Sequence, residues 1–171
     1  EYGSGTLLKE DAELPTPTTA YAGSKAAAHL LVRAFACCYD VPVVSLRPFN
    51  VYGPFEAPSR LMPHTIIRAL NGLDIELTGG QQKRDFVFIS DLVEAFLLAS
   101  LGDSEAGTVF NVCTGIETSV RAAVSKIISL TNSTSSPKFG ELKYHGIENA
   151  NISGDPSKIG NVFGWKASHS F

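Results

Sequence analysis

Two side chains that can exchange protons, Tyr21 and Lys25, stand four residues apart in an alanine-rich stretch. This stretch predicts a helix over residues 20–39, and four helical steps return a side chain to within roughly 40° of its starting direction. The phenol and the ammonium group are therefore expected on one face of the helix. A fixed positive charge favours the phenolate, so the pair is suited to act as a general base. The alternative is an ordinary pair of surface side chains.

A short apolar strand follows this helix and ends in residues that shape a turn. Residues 43–46 are β-prone and mostly apolar, as in a strand buried within a parallel sheet, whereas Pro48, Gly53 and Pro54 terminate it. Ligands of open α/β sheets bind beyond the carboxyl ends of the strands, so Asn50 is predicted to lie in a ligand crevice. A turn-forming asparagine beside Gly53 is the alternative interpretation of that residue.

Several motifs follow one another along the chain at characteristic intervals. They are residues 21–25 (YAGSK), 47–54 (RPFNVYGP), 84–92 (RDFVFISDL), 107–112 (GTVFNV), 155–158 (DPSK) and 163–165 (FGW). Together they closely resemble the extended short-chain dehydrogenase/reductase family, and more narrowly its NAD-dependent nucleotide-sugar epimerases and dehydratases. The resemblance covers essentially the whole chain. It implies an α/β fold, namely the C-terminal part of a Rossmann-like, doubly wound parallel sheet and a small α/β substrate-binding lobe.

One part of the family's fold has no counterpart in this sequence. Family members begin with a strand, a glycine-rich turn and a helix whose N-terminus binds the dinucleotide's pyrophosphate, and no Gly-x-x-Gly-x-x-Gly pattern occurs here. The chain is therefore expected to be a C-terminal half that is inactive alone. Residues 1–50 are expected to complete the dinucleotide-binding fold with its active-site helix. Residues 51–171 are expected to form mostly the substrate-binding lobe, interleaved with the last Rossmann strands.

The resemblance implies a set of site residues. Tyr21 would take the proton from a sugar hydroxyl next to NAD, or alternatively NADP, and Lys25 would assist it and bind the nicotinamide ribose. The implied cofactor site consists of Tyr21, Lys25, Pro48, Phe49, Asn50 and Val51. The implied contacts to a nucleotide-diphosphate sugar come from Asn50, Arg60, Leu61, Pro63, Arg84 and His145.

Two of these substrate residues have specific alternatives or departures. Arg84 matches the family's arginine that reaches the diphosphate, and the alternative is a solvated arginine that precedes a strand. His145 stands where family members commonly have an arginine as a second diphosphate anchor. A neutral imidazole binds phosphate less well, so either the substrate is held differently there or this chain has lost selection for binding.

The reaction that the family implies passes through a 4-keto intermediate at C4 of a nucleotide-linked hexose. An epimerase returns hydride to the other face, a dehydratase first eliminates water, and a 4-ketoreductase starts from the ketone. A fold retained as a non-catalytic binding or scaffold module is a further alternative. A serine/lysine hydrolase, suggested by Ser135 and Lys138, lacks any companion motif. The resemblance also implies a homodimer through the active-site helix of the full-length protein.

Composition restricts the remaining classes of function. The chain of 171 residues is 44% hydrophobic, which suffices for one core. A net charge of −3 without any basic run argues against a nucleic-acid partner, and the most apolar helical stretch, residues 26–39, is too short to span a membrane. The spacing of Cys37, Cys38 and Cys113 predicts buried reduced thiols and hence a cytoplasmic location. The histidines form no zinc motif, so no metal site is expected.

The hydrophobic pattern predicts the other elements. Helices are predicted over residues 61–70, 91–101 and 119–130, and a last one begins with Asp155 as its cap and Pro156 as its first residue. Strands are predicted over residues 75–77, 86–89 and 108–112, and at an edge over 142–144. Ser90 is predicted to cap the helix that follows it. The apolar side of the first helix consists of Leu30, Leu31, Ala34, Phe35 and Cys38.

Overall fold

The structure is a computed structural model that describes residues 3–12, 17, 19–143 and 151–171. Within these residues the helices are α1 (Ala20–Tyr39), α2 (Leu61–Leu70), α3 (Ile89–Leu101), α4 (Val120–Leu130) and α5 (Ser157–Phe163). The strands are β1 (Gly5–Leu8), β2 (Ser45–Pro48), β3 (Asn50–Tyr52), β4 (Ile75–Leu77), β5 (Lys83–Arg84), β6 (Phe86–Phe88), β7 (Val109–Val112), β8 (Thr118–Ser119), β9 (Pro137–Phe139) and β10 (Asn151–Gly154). The predicted bounds of α1, α2 and β4 are confirmed.

The described strands pair mostly in parallel. β2 pairs with β7, β3 with β6 and β4 with β9, all in parallel. A further sheet has the order β1-β10-β5-β8, in which β5 and β8 are antiparallel. Parallel strands connected through helices are the arrangement predicted for an α/β fold. The predicted boundary between a part of residues 1–50 and a part of residues 51–171 stays a prediction. Strand pairs such as β2 with β7 join residues from both parts.

Two apolar cores hold these elements together. One lies between α2 and α4 and contains Ile75 and Val124, both fully buried. The other packs β6 and β7 against α3 and α5, with Phe110, Ile159 and Trp165 at its centre. In α4 the buried residues recur every three or four positions, so one stripe of the helix faces the first core.

The observed starts of α3 and α4 differ from the predicted ones. Ser119 caps α4, since its Oγ accepts a hydrogen bond from the N–H of Ala122 at 3.1 Å. The prediction that Ser90 caps α3 is wrong. β6 runs directly into α3, so Phe88 occupies the cap position without a side-chain bond and Ser90 already lies in the first turn.

The start of the last helix is shifted by one residue. Pro156 occupies the cap position of α5 instead of its first turn. Asp155 nevertheless supports this helix end, because its Oδ1 accepts a hydrogen bond from the N–H of Ser157 at 2.8 Å. The side-chain hydroxyl of Ser157 and, second, this backbone N–H lower the pKa of Asp155.

Several strands differ from the predicted ones. Leu142 and Lys143 lie outside any strand, and Tyr144 lies outside the described residues, so the edge strand predicted there is wrong for its described part. The strand that pairs with β4 is instead β9, which begins at Pro137. β1 and β10 were not predicted, because their pairing joins segments about 145 residues apart and leaves no local periodicity.

The cysteines divide into one buried and two exposed residues. Cys113 is fully buried, as predicted, whereas Cys37 and Cys38 are exposed, so their predicted burial is wrong. They lie in the last turn of α1, whose apolar side is uncovered in the chain: Leu30, Leu31 and Phe35 are 62%, 60% and 53% exposed. The described helices include none that is long and apolar enough to cross a bilayer.

Candidate functional site

Tyr21 and Lys25 lie together near the N-terminus of α1. The helix begins directly after Thr19, whose Oγ1 accepts a hydrogen bond from the N–H of Ala22 at 3.1 Å. Lys25 Nζ lies 5.5 Å from the centroid of the Tyr21 ring. Tyr21 is 72% exposed, so its phenol reaches the surface. The ammonium group therefore lies over the ring of the tyrosine, on the same face of the helix.

The phenol and the ammonium group border the end of β2. They line a cavity of about 390 Å³ together with Leu46, Arg47, Pro48, Phe49, Asn50 and Ile152. Five residues of the predicted site, Tyr21, Lys25, Pro48, Phe49 and Asn50, therefore share one cavity. α1 supplies the proton-exchanging groups and the strand end supplies the amide and the apolar wall.

Asn50 lies where the chain leaves one pair of strands and enters another. The N–H of Phe49 donates to the carbonyl of Val112 at 3.0 Å, at the end of the β2–β7 pair. The N–H of Asn50 donates to the carbonyl of Asp85 at 3.0 Å, at the start of the β3–β6 pair. The backbone is thus fixed on both sides of this peptide, and Asn50 lies at the carboxyl end of β2, as predicted.

Arg84 lies beside the cavity without lining it. It is the last residue of β5 and stands opposite Ile152 of β10, which does line the cavity. Its Nη1 donates to the carbonyl of Lys83 at 2.8 Å. The arginine predicted to reach a diphosphate is therefore one strand-pairing position away from the cavity that contains Tyr21.

Four other predicted residues do not line this cavity or cannot be placed. Val51 is half-buried and packs against the core that β6 and β7 form with α3 and α5. Leu61 and Pro63 are half-buried in the first turn of α2, where Leu61 packs against the other core. His145 lies outside the described residues.

Arg60 precedes α2 and is turned toward solvent. Its side chain is 72% exposed, and its Nε lies 3.8 Å from Oε1 of Glu56. Burial raises the pKa of Glu56, and the positive charge of Arg60 opposes that rise in part. The side chain of Glu56 is only 18% exposed, whereas that of Arg60 lies largely in solvent and is accessible to other partners.

The sequence of this site also matches a known family. A model of the NAD dependent epimerase/dehydratase family matches residues 1–113. The chain belongs to this family. Residues 1–113 include α1, β2 and β5, so all the described residues predicted for the site lie in the matched part.

Individual members of the epimerase/dehydratase family are similar over most of the chain. The dTDP-D-glucose 4,6-dehydratase of Mus musculus is 36% identical over 137 residues, which are 79% of this chain and 38% of the mouse protein. The dTDP-glucose 4,6-dehydratase of Xanthomonas campestris is 31% identical over 164 residues, which are 91% of this chain and 46% of that protein. The chain spans less than half the length of these curated relatives.

Solved structures with the same fold include complexes with NAD. MoeE5 in complex with UDP-glucuronic acid and NAD superposes with a TM-score of 0.89 at 32% identity, covering 99% of this chain and 57% of that one. DesIV, a dTDP-glucose 4,6-dehydratase from Streptomyces venezuelae with NAD bound, gives a TM-score of 0.86 at 27% identity, covering 99% and 53%. The predicted α/β fold class is confirmed.

Arg47 is a cavity residue that the sequence did not single out as part of the site. It is only 7% exposed although it is charged, and its Nη1 donates to the carbonyl of Glu10 at 3.4 Å. Across the β2–β7 pair it stands opposite Asn111, whose N–H donates to Oε1 of Glu10 at 2.8 Å. An arginine inside an otherwise apolar strand is the local signal that indicates a buried polar role.

The cavity residues fit one end of the cofactor after which the epimerase/dehydratase family is named. The phenol of Tyr21, the ammonium group of Lys25 and the amide of Asn50 offer donors and acceptors for ribose hydroxyls and a carboxamide. The printed sequence contains no glycine-rich turn for a pyrophosphate. The fit therefore concerns the nicotinamide-ribose end alone. Across the described residues, no group of three or more His, Cys, Asp or Glu residues could hold a metal ion.

Proposed function

We propose that this chain is the catalytic-helix and substrate-binding part of an NAD-dependent enzyme that acts at C4 of a nucleotide-linked hexose through a 4-keto intermediate. NADP is the alternative cofactor. The observation that carries the proposal is the cavity in which Tyr21, Lys25 and Asn50 meet at the end of β2. The relatives named above, which act on or bind nucleotide-linked glucose and glucuronic acid, support the substrate class.

Tyr21 is the proposed general base and acid of the reaction. As phenolate it takes the proton from a sugar hydroxyl, and as phenol it returns a proton when a ketone is reduced. Lys25, whose Nζ lies 5.5 Å from the phenol ring centroid, favours the phenolate and donates to the nicotinamide ribose. Bound NAD supplies the acceptor and donor of hydride.

The substrate's diphosphate is the proposed partner of the polar residues around the cavity. Arg84 offers a planar, permanently charged fork, and Asn50 offers a neutral amide at the strand end. Arg60, Leu61 and Pro63 are proposed to pack beside the nucleotide base, and the exposed side chain of Arg60 can move toward it. His145 is the further residue proposed to face the diphosphate.

The proposed assembly of a longer protein that contains this chain is a homodimer formed through α1. The support is the uncovered apolar side of this helix, where Leu30, Leu31 and Phe35 are each more than half exposed. The rings of Phe35 and Tyr39 lie 5.5 Å apart on the same helix and extend this surface. Burial of such side chains favours association.

Turnover by Tyr21→Phe tests the proposed base. In a longer polypeptide that carries a nucleotide-binding half before this chain, UDP-glucose and dTDP-glucose are expected to be converted with NAD. Tyr21→Phe is expected to lower kcat by about 10²–10⁴-fold, the usual contribution of general acid–base catalysis. The measurement is nicotinamide absorbance combined with product analysis, which separates epimerised, dehydrated and reduced sugars.

The matched control for this test is Tyr39→Phe. Tyr39 lies at the other end of the same helix and is exposed to the same 72% as Tyr21. Its variant is expected to turn over at the wild-type rate. Unchanged turnover by Tyr21→Phe would show that the assigned base is wrong, and turnover of neither sugar would count against the substrate class.

A further inference from the structure

Asp85 is a buried carboxylate at the junction of two sheets. It follows Arg84, the last residue of β5, and precedes Phe86, the first residue of β6. β5 belongs to the sheet β1-β10-β5-β8, whereas β6 pairs with β3. Asp85 is 0% exposed, and burial of a carboxylate is costly unless hydrogen bonds compensate for it.

Four donors surround the carboxylate of Asp85. Its Oδ1 accepts from the N–H and the Oγ1 hydroxyl of Thr114, at 2.8 and 2.7 Å. Its Oδ2 accepts from the N–H of Gly115 at 2.9 Å and from the N–H of Gly154 at 3.3 Å. Gly115 has a φ of +76°, a left-handed conformation that favours glycine. The side chain thus joins the turn after β7 to the end of β10.

The backbone of Asp85 binds Asn50 and a second residue of β10. Its carbonyl accepts from the N–H of Asn50 at 3.0 Å, and its N–H donates to the carbonyl of Ile152 at 3.1 Å. Ile152 lines the cavity and stands opposite Arg84 in the β10–β5 pair. Asp85 is therefore bonded to Asn50, the first residue of β3, and to β10, the strand that pairs with Arg84.

We propose that Asp85 is a positioning residue that sets the separation between Arg84 and Asn50, and thereby the place of a nucleoside diphosphate relative to Tyr21. The inference rests on the proposed function, in which Arg84 and Asn50 bind the diphosphate. Asp85 itself is buried and acts through Arg84, because its carboxylate binds Gly154 of β10 and β10 is the strand that pairs with Arg84.

The four donors around this side chain explain why an amide cannot replace it. A carboxylate has two acceptor oxygens, which here share four donors. Asparagine would keep one acceptor and turn an NH₂ group toward N–H donors, so at least one bond to the turn at Thr114 or to Gly154 is lost. A buried donor without a partner is costly, so the segment that carries it is expected to move away from residue 85. We expect β10 to shift in this way, and Arg84, which pairs with β10, to shift with it.

A double-mutant cycle on the 171-residue chain tests this inference. UDP, and in a parallel titration dTDP, is titrated calorimetrically into wild type, Asp85→Asn, Arg84→Met and the double variant. Arg84→Met is expected to raise Kd by about tenfold or more, as expected for a lost charge-assisted hydrogen bond. Asp85→Asn is expected to raise Kd by about five- to tenfold in wild type and by less than about twofold beside Arg84→Met.

The cycle separates positioning from a merely structural role. If Asp85 acted only on folding, its substitution would change Kd by the same factor in both backgrounds, and this additive result would overturn the inference. An unchanged Kd in Asp85→Asn would overturn it as well. The folded fraction is measured by fluorescence of Trp165, the single tryptophan of the sequence, which lies in the core.

A second variant decides the question if Asp85→Asn does not fold. Thr114→Val removes only the hydroxyl donor to Oδ1, and Thr114→Ser, which keeps a hydroxyl, is its control. Thr114→Val is expected to raise Kd by about two- to fivefold in wild type but not beside Arg84→Met. Equal effects in both backgrounds, or none, would overturn the inference. If the wild-type chain binds neither UDP nor dTDP, the proposed diphosphate ligand itself is wrong.

Discussion

The surroundings of Tyr21 in the chain differ from those that its proposed role requires. Its phenol is 72% exposed, and at a separation near 5.5 Å a unit charge acts through water with less than about 1 kcal/mol. In a site from which water is excluded, a unit charge at the same distance has several times that interaction energy. Lys25 is therefore expected to influence Tyr21 strongly only when ligands fill the cavity.

Asp91 provides a pH-dependent prediction at the scale of single residues. It is 1% exposed, and His169 Nδ1 lies 2.8 Å from its Oδ1, while Ser168 Oγ donates to the same oxygen at 2.7 Å. Burial alone would raise the pKa of Asp91, but the hydrogen bonds from His169 and Ser168 outweigh it, so the pKa is lowered. The fold therefore binds the ionised carboxylate more strongly than the protonated acid.

Asp91→Asn is expected to lower the free energy of unfolding by about 1–3 kcal/mol at pH 7. Because the folded-state pKa is lowered, this stability is fully present above the unfolded value near 3.8 and is lost as the pH falls below it. The difference between wild type and Asp91→Asn is thus expected to shrink below about pH 4. Denaturant unfolding followed by Trp165 fluorescence measures it, and a difference that stays constant down to pH 2 would contradict the assignment.

At the scale of elements, α1 is set by its own sequence, and its apolar side stays exposed among the described residues. Alanine-rich composition and the Thr19 cap define its start, and the helix keeps only His29 and Ala36 buried. α3 has a similar surface, with Phe96 and Leu97 more than half exposed. The opposite faces of these helices pack on the fold, so the uncovered apolar sides are available to other surfaces.

Leu31→Glu tests the proposed dimer at α1. In the longer polypeptide the wild type is expected to have twice the mass of one chain, and Leu31→Glu is expected to be monomeric, because a charge would be buried in an apolar contact. Light scattering coupled to size-exclusion chromatography measures the mass. Leu130→Glu is the control, since Leu130 is 72% exposed at the end of α4. A dimer that survives Leu31→Glu but not Leu130→Glu would place the contact elsewhere.

Elements formed by interactions between nearby residues were predicted correctly, whereas several of those formed by distant residues were not. Helices such as α2 depend on neighbours within four residues, and their bounds were predicted correctly. The pairing of Gly5 with Ile152, or of Ile75 with Pro137, depends on residues far apart along the chain. β1, β9 and β10 are only three or four residues long, too short for a local pattern to predict them.

At the scale of the whole molecule, the chain holds one end of a proposed cofactor site. It spans 57% of the MoeE5 chain that it resembles, and the cavity at Tyr21 offers groups for a nicotinamide ribose. The pyrophosphate and adenosine of a dinucleotide need further donors, typically at the N-terminus of a helix that follows a glycine-rich turn. Most of the binding free energy of NAD is therefore expected to come from another part of the fold.

The isolated 171-residue chain is accordingly expected not to bind NAD with measurable affinity. Calorimetric titration of NAD into the chain, compared with the same titration into the longer polypeptide, measures this difference. Saturable binding by the chain alone would contradict the expected division of the cofactor site. Fluorescence of Trp165, which lies in the core, provides the control for correct folding in the same sample.

The sequence by itself determined the family, the α/β class and the residues that meet at the cavity from α1 and the end of β2. These depend on motifs and helical spacing that are written in consecutive residues. The tertiary structure alone decided that Arg47 and Ile152 line the cavity and that Asp85 joins Asn50 to β10. Such contacts form only when distant segments pack, since a buried polar group must find its partner wherever the fold supplies one.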